Sequence, residues 1–70
     1  MPLTIAPIGK EITIVKYSLD DSLRKHLEAL GMILGSTITV IKEKDGDVII
    51  EVKGSKIAIN KGLASKILVH

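Results

Sequence analysis

The sequence predicts a mainly β fold, a small barrel of about five short strands with one α-helix between the first two strands. Three observations point there. Hydrophobic residues make up 46% of the chain, and most are Ile, Val and Leu; Phe and Trp are absent and Tyr17 is the lone aromatic. Ile and Val are stiff at χ1 and suit a pleated, half-buried surface. Most apolar positions alternate with polar ones in short runs separated by Gly, Asp and Ser, and a single run carries the helical period instead.

The elements follow in order. Pro2 and Pro7-Ile8-Gly9 pin the opening, with Pro7 and Gly9 as turn residues. Glu11 to Tyr17, with Ile12, Ile14, Val15 and Tyr17, reads as the first strand. From Ser18 the period changes: Leu19, Leu23, Leu27 and Leu30 fall on one helical stripe, with Arg24, Lys25 and Glu28 toward water. Asp20, Asp21 and Ser22 supply N-cap and first-turn oxygens, and Gly31 supplies the stop, so a helix is predicted over about residues 20–30. Thr37-Ile38-Thr39-Val40 restores the period of two. Lys44-Asp45-Gly46-Asp47 is an Asp-Gly hairpin turn, after which Val48, Ile50 and Val52 share a face. Lys53-Gly54-Ser55 is a second turn, Ile57 and Ile59 mark another strand, Asn60 to Ala64 reads as one helical or 3₁₀ turn, and Lys66 to Val69 as the last strand. Five short strands cannot build two full sheets. A strongly bent sheet closing on itself, with the helix over an open side, is the economical arrangement.

Seventy residues support one core, so residues 1–70 are expected to form one domain. There is no cysteine, which removes disulfides, thiolate metal sites and a cysteine nucleophile together. No run approaches the length of a membrane span, so no direct membrane insertion is expected, and Met1-Pro2-Leu3-Thr4-Ile5 lacks the pattern of a signal peptide; a cytosolic location follows. Ten cations against eight carboxylates give a net charge of +2, with both signs interspersed along the chain.

No set of side chains converges on a reaction. His26 and His70 form no helical pair, Asp45 and Asp47 belong to a turn, and no glycine lies in a phosphate-binding pattern. An enzyme is therefore not expected, no catalytic residue is assigned, no metal ligand is assigned, and no cofactor is required. Surfaces that bind single-stranded nucleic acid or polyproline ligands rely on stacking aromatics, and one tyrosine is too few for either. Nucleic acid is accordingly not an expected partner.

One segment resists a purely structural account. Between the helix and the second strand, Met32, Ile33 and Leu34 stand in a row between Gly31 and Gly35. A turn this tight does not easily bury all three. Either Met32 and Ile33 plug one end of the barrel, or Met32, Ile33 and Leu34, with neighbouring Arg24 and Lys25, form part of a docking face for a partner.

Taken together, Pro7-Ile8-Gly9, the Leu23-Arg24-Lys25-His26-Leu27 helix, Leu30-Gly31-Met32-x-x-Gly35, Thr37-Ile38-Thr39-Val40, Val52-Lys53-Gly54, Ile57-Ala58-Ile59 and Leu63-Ala64-x-x-Ile67-x-Val69 resemble the FeoA family in order and across nearly the whole chain. The resemblance implies an SH3-like barrel and a role in ferrous iron uptake, as a cytosolic accessory that binds and modulates the GTP-binding part of a FeoB-type membrane transporter. One departure stands out: the family commonly has proline where this chain has Leu34. A related barrel closes iron-dependent repressors of the DtxR type, so a metal-responsive regulatory module is an alternative, as is a nucleic-acid-binding small barrel using scattered lysines. Weak transition-metal binding through carboxylates and His26 is a third reading, and pairing of copies through exposed edge strands stays open.

Overall fold

The computed structural model describes residues 1–70. A 3₁₀ turn at Leu3–Ile5 precedes β1 (Glu11–Tyr17), α1 (Asp21–Ala29), β2 (Thr37–Lys44), β3 (Asp47–Val52), β4 (Ser55–Ile59), a single-turn α2 (Lys61–Ala64) and β5 (Ile67–Val69). The strands form one sheet in the order β4-β3-β2-β1-β5 with every neighbouring pair antiparallel. This is the mainly β, one-helix architecture predicted above.

A bulge in β2 bends the sheet. Val40 lies opposite Ile50 and Lys42 opposite Ile49, so Ile41 is the extra residue. Before the bulge, Thr37 to Thr39 pair with β1. At Val40, the last residue before the bulge, the place beside β2 is taken by Ile8 and Gly9, with the Gly9 N–H donating to the Val40 carbonyl at 2.8 Å. The same bulge explains why the sequence shows clean alternation only as far as Val40.

Both hairpin turns have two residues. Asp45 and Gly46 take φ of 53° and 92°, the paired left-handed geometry whose twist matches that of the flanking strands. Lys53 and Gly54 repeat it between β3 and β4. The Asp20 carboxylate caps α1 by accepting the Leu23 N–H at 2.8 Å, and the Asn60 side chain caps α2 by accepting the Leu63 N–H at 2.9 Å.

Inward-facing residues of all five strands meet the 3₁₀ turn and both helices in one core of fifteen buried side chains, none of them polar. Two expectations change. The sheet does not close by strand pairing, since β4 and β5 are its two ends. One of those ends is covered: Val69 donates to the Met1 carbonyl at 2.7 Å and Pro2 bridges to Leu68. The helix also covers less than its leucine stripe suggested. Leu27 is the only fully buried residue of α1, while Leu23 and Leu30 stay 38% and 42% exposed. A nine-residue helix at the rim of so small a core presents one residue fully to the interior, Leu27 in its last turn.

Candidate docking surface

The link from α1 to β2 decides which of its apolar residues face water. At the end of α1 the Gly31 N–H donates to the Glu28 carbonyl and the Met32 N–H to the Leu27 carbonyl, each at 3.0 Å. This pairing is the Schellman termination, which brings the residue after the glycine against the last buried turn. Met32 is thereby drawn into the core beside Leu27, with no exposed surface. Its inclusion in the docking face is corrected accordingly: a side chain with no exposed area touches no partner.

Ile33 and Leu34 point the other way, at 43% and 54% exposed. The Ser36 N–H closes a four-residue turn on the Ile33 carbonyl at 3.0 Å, and Gly35 has φ of 87°. That conformation at the third position is the demand of a type II turn, and Leu34 occupies the second position, where proline is favoured. The turn is clamped to the sheet, because the Gly35 N–H donates to the Ile14 carbonyl at 2.7 Å and Ile14 donates in return to Ser36 at 3.0 Å. The Ser36 hydroxyl also reaches the Gly31 carbonyl at 3.2 Å. Ile33 and Leu34 are thus held outward on a fixed loop.

Leu30, the residue that caps α1 beside this loop, is exposed as well, whereas Leu23, in the first turn of α1, borders a separate depression with Asn60, Gly62 and Leu63. The sequence placed both on the same apolar stripe as Leu27. The signal that could have placed them outside is the brevity of the helix, which leaves Leu23 in its first turn and Leu30 past its last residue, with Leu27 alone over the core. Arg24 and Lys25 sit on the same helix; Lys25 is exposed and Arg24 half-buried, with its guanidinium 3.1 Å from the Asp21 carboxylate. Under α1, at the end of β1, the Tyr17 hydroxyl is buried without a hydrogen-bond partner, as is Nε of Arg24. Burial, and secondarily the Glu28 carboxylate, push the Tyr17 hydroxyl up to about 12.

The remaining singled-out residues have structural positions. Gly9, Gly31, Gly35, Gly46 and Gly54 all adopt left-handed conformations at chain reversals, and Pro7 lies in the exposed link before β1. His26 and His70 are exposed, and no three His, Asp or Glu side chains gather where they could share a metal ion. No helix is long and apolar enough to cross a membrane.

The family profile described as "FeoA domain" matches residues 1–70. The chain belongs to the FeoA family. This FeoA chain is 41% identical over 69 residues to a Methanocaldococcus jannaschii protein named "Putative Fe(2+) transport protein A", covering 99% of itself and 84% of that protein. It superposes with a TM-score of 0.83 and 35% identity on the crystal structure of an iron uptake regulatory protein (FeoA), covering 99% of this chain and 92% of that one. ScaR with bound Zn2+ shares the fold at a TM-score of 0.85 and 24% identity, with this FeoA chain matching 35% of its length. The likeness to ScaR is one of fold.

Proposed function

We propose that this FeoA-family protein is a non-catalytic accessory of ferrous iron transport that docks on the cytosolic GTP-binding part of a FeoB-type transporter. The observation that carries the reading is the outward presentation of Ile33 and Leu34, next to the exposed Leu30, on a loop whose backbone is pinned to β1. Exposed apolar side chains held rigidly lose little conformational freedom on association, and so most of their burial contributes to affinity. Arg24 and Lys25, on α1, are the cations this reading adds to the surface, where charge would orient a partner and raise the rate of encounter more than it adds to affinity. The fully apolar core and the scattered carboxylates and histidines support a binding role over a chemical one.

The direct test is binding of the purified protein to the isolated GTP-binding domain of such a transporter, with and without nucleotide. Ile33→Ser combined with Leu34→Ser should weaken binding by roughly tenfold or more, about 1.4 kcal/mol, with the thermal midpoint unchanged. Raised salt should alter the affinity little, whereas a steep decline with salt would indicate phosphate or carboxylate contacts by lysine instead. Unaltered affinity in the double variant removes this surface from the interface.

A further inference from the structure

We infer that the free edge of β4, with the groove beside it, takes up an extended acidic segment of another protein as an added sheet strand with an apolar residue facing the groove. The site stands apart from the loop discussed above. Gly31 approaches the side chains of Val52 and Lys53 at the C-terminal end of β3, whereas the groove begins at Asp47, the N-terminal end of the same strand.

The backbone supplies the first half of the argument. Val52 and Ser55 close a two-residue turn, which makes them a hydrogen-bonded pair, and the alternation of an antiparallel ladder makes Ile50–Ile57 and Val48–Ile59 bonded pairs as well. Lys56 and Ala58 fall on the non-bonded positions. Their N–H and C=O groups therefore point away from β3, toward the outer edge, and no turn, loop or cap hydrogen bond ends on either residue. The opposite end of the sheet is covered by Met1 and Pro2. The edge of β4 is the one left ready to pair.

Side chains supply the second half. Next to β4 lies a groove of about 410 Å³, lined among others by Lys42, Lys44, Asp47, Ile49, Ala58 and Asn60. Lys42, Ile49 and Ala58 occupy one cross-strand row, on the face turned away from the core. Ile49 forms an apolar floor there, and Ala58 is too small to cover it. The polar acceptors in the groove are already engaged: Asp47 accepts the Lys61 N–H at 2.7 Å, and Asn60 accepts the Leu63 N–H. The lysines are not. The only ion pair of the molecule joins Arg24 to Asp21, so Lys42, Lys44 and Lys56 have no carboxylate within 4.0 Å, Lys56's cross-strand neighbour Glu51 included. A strand laid along β4 would place one outward side chain beside Ala58, over Ile49, and the next on the same face beside Lys56. The chemistry that fits these positions is a large apolar group in the first and a carboxylate in the second, with Lys42 and Lys44 favouring further acidic residues nearby.

The probe is a capped seven-residue peptide of threonines with glutamate, valine and glutamate at its second, fourth and sixth positions, titrated into isotopically labelled protein. On binding, the Lys56 and Ala58 amides should become protected from hydrogen exchange and the Ile49 resonances should shift. Replacing both glutamates of the peptide by lysine should weaken binding by roughly tenfold or more. Ala58→Pro removes only an outward N–H, which an edge strand tolerates, and should abolish binding. Lys56→Glu, a surface change that leaves the fold intact, should weaken it at least about fivefold and decides the matter if the proline variant does not fold. The proposal is overturned by any of four results. These are no response at millimolar peptide, equal binding by the lysine peptide or by Lys56→Glu, β4 amides already protected in a concentration-dependent dimer, or a stronger response of the same amides to a single-stranded oligonucleotide.

Discussion

Tyr17 carries a hydroxyl that is both out of water and without a partner, an arrangement that costs more than it contributes. Tyr17→Phe should therefore be neutral or stabilising by up to about 1 kcal/mol, and a loss larger than that in chemical denaturation would reveal a partner for the hydroxyl. Its titration has a definite sign. The folded state holds the hydroxyl neutral up to about 12, against 10.0 in the unfolded chain. Stability is therefore independent of this group below pH 10 and falls as pH rises from 10 toward 12, because the unfolded chain ionises first. The measurement is a difference: the melting temperature of Tyr17→Phe should fall less across this window than that of the parent. Gly46 is the other residue with a sharp demand. Its φ of 92° strains any L side chain, and an added Cβ would lie 2.6 Å from Cγ of Lys61. Gly46→Ala should cost about 1–2 kcal/mol, or roughly 4–8 °C of melting temperature per kcal/mol. Gly54→Ala, where a Cβ meets nothing within 4 Å, should cost less; equal losses would remove the Lys61 contact from the account.

Among the elements, the loop from α1 to β2 joins the fold to the proposed docking surface. The Schellman bonds send Met32 inward, the clamp to Ile14 holds the next turn, and Ile33 and Leu34 face outward as a result. Leu34 occupies the position where the FeoA pattern commonly has proline, and its N–H makes no backbone hydrogen bond in the loop. Leu34→Pro should keep the turn and raise stability by about 0.4–1 kcal/mol by restricting the unfolded chain. A lower melting temperature would mean that Leu34 does not have the backbone of a type II turn. The same substitution should weaken partner binding, which separates the residue's contribution to shape from its contribution to contact.

For the whole molecule, fifteen apolar side chains hold together a sheet whose ends never pair. Stability is consequently concentrated inside the barrel and thin along α1. Leu27→Ala should cost about 2–5 kcal/mol, enough to unfold much of a domain this small. Leu23→Ala and Leu30→Ala should each cost less than about 1 kcal/mol, although the same residue type is removed from the same stripe. Comparable losses at all three positions, measured by urea denaturation, would place α1 deeper in the core than its exposure indicates. The open edge of β4 is also a property of this scale, since it exists only because β5 is covered by the N-terminal residues and β4 is not.

Local patterning by itself determined the strands, the helix and its Asp20 cap, both hairpin turns and the family, because each rests on neighbours in the chain: a period of two, a period near four, or an Asp-Gly or Lys-Gly pair. It could not say which of several adjacent apolar residues turn inward. Met32 and Ile33 are equally apolar and consecutive, and the bonds of Met32 to Leu27 and of Gly35 to Ile14 separate them. Leu23, Leu27 and Leu30 share one stripe, and only the position of the barrel rim divides them. The outer face carrying Ile49, and the free edge beside it, depend likewise on which strands become neighbours. Burial and edge exposure are properties of contacts between segments distant along the chain, and so only the tertiary structure decided where a partner can touch this protein.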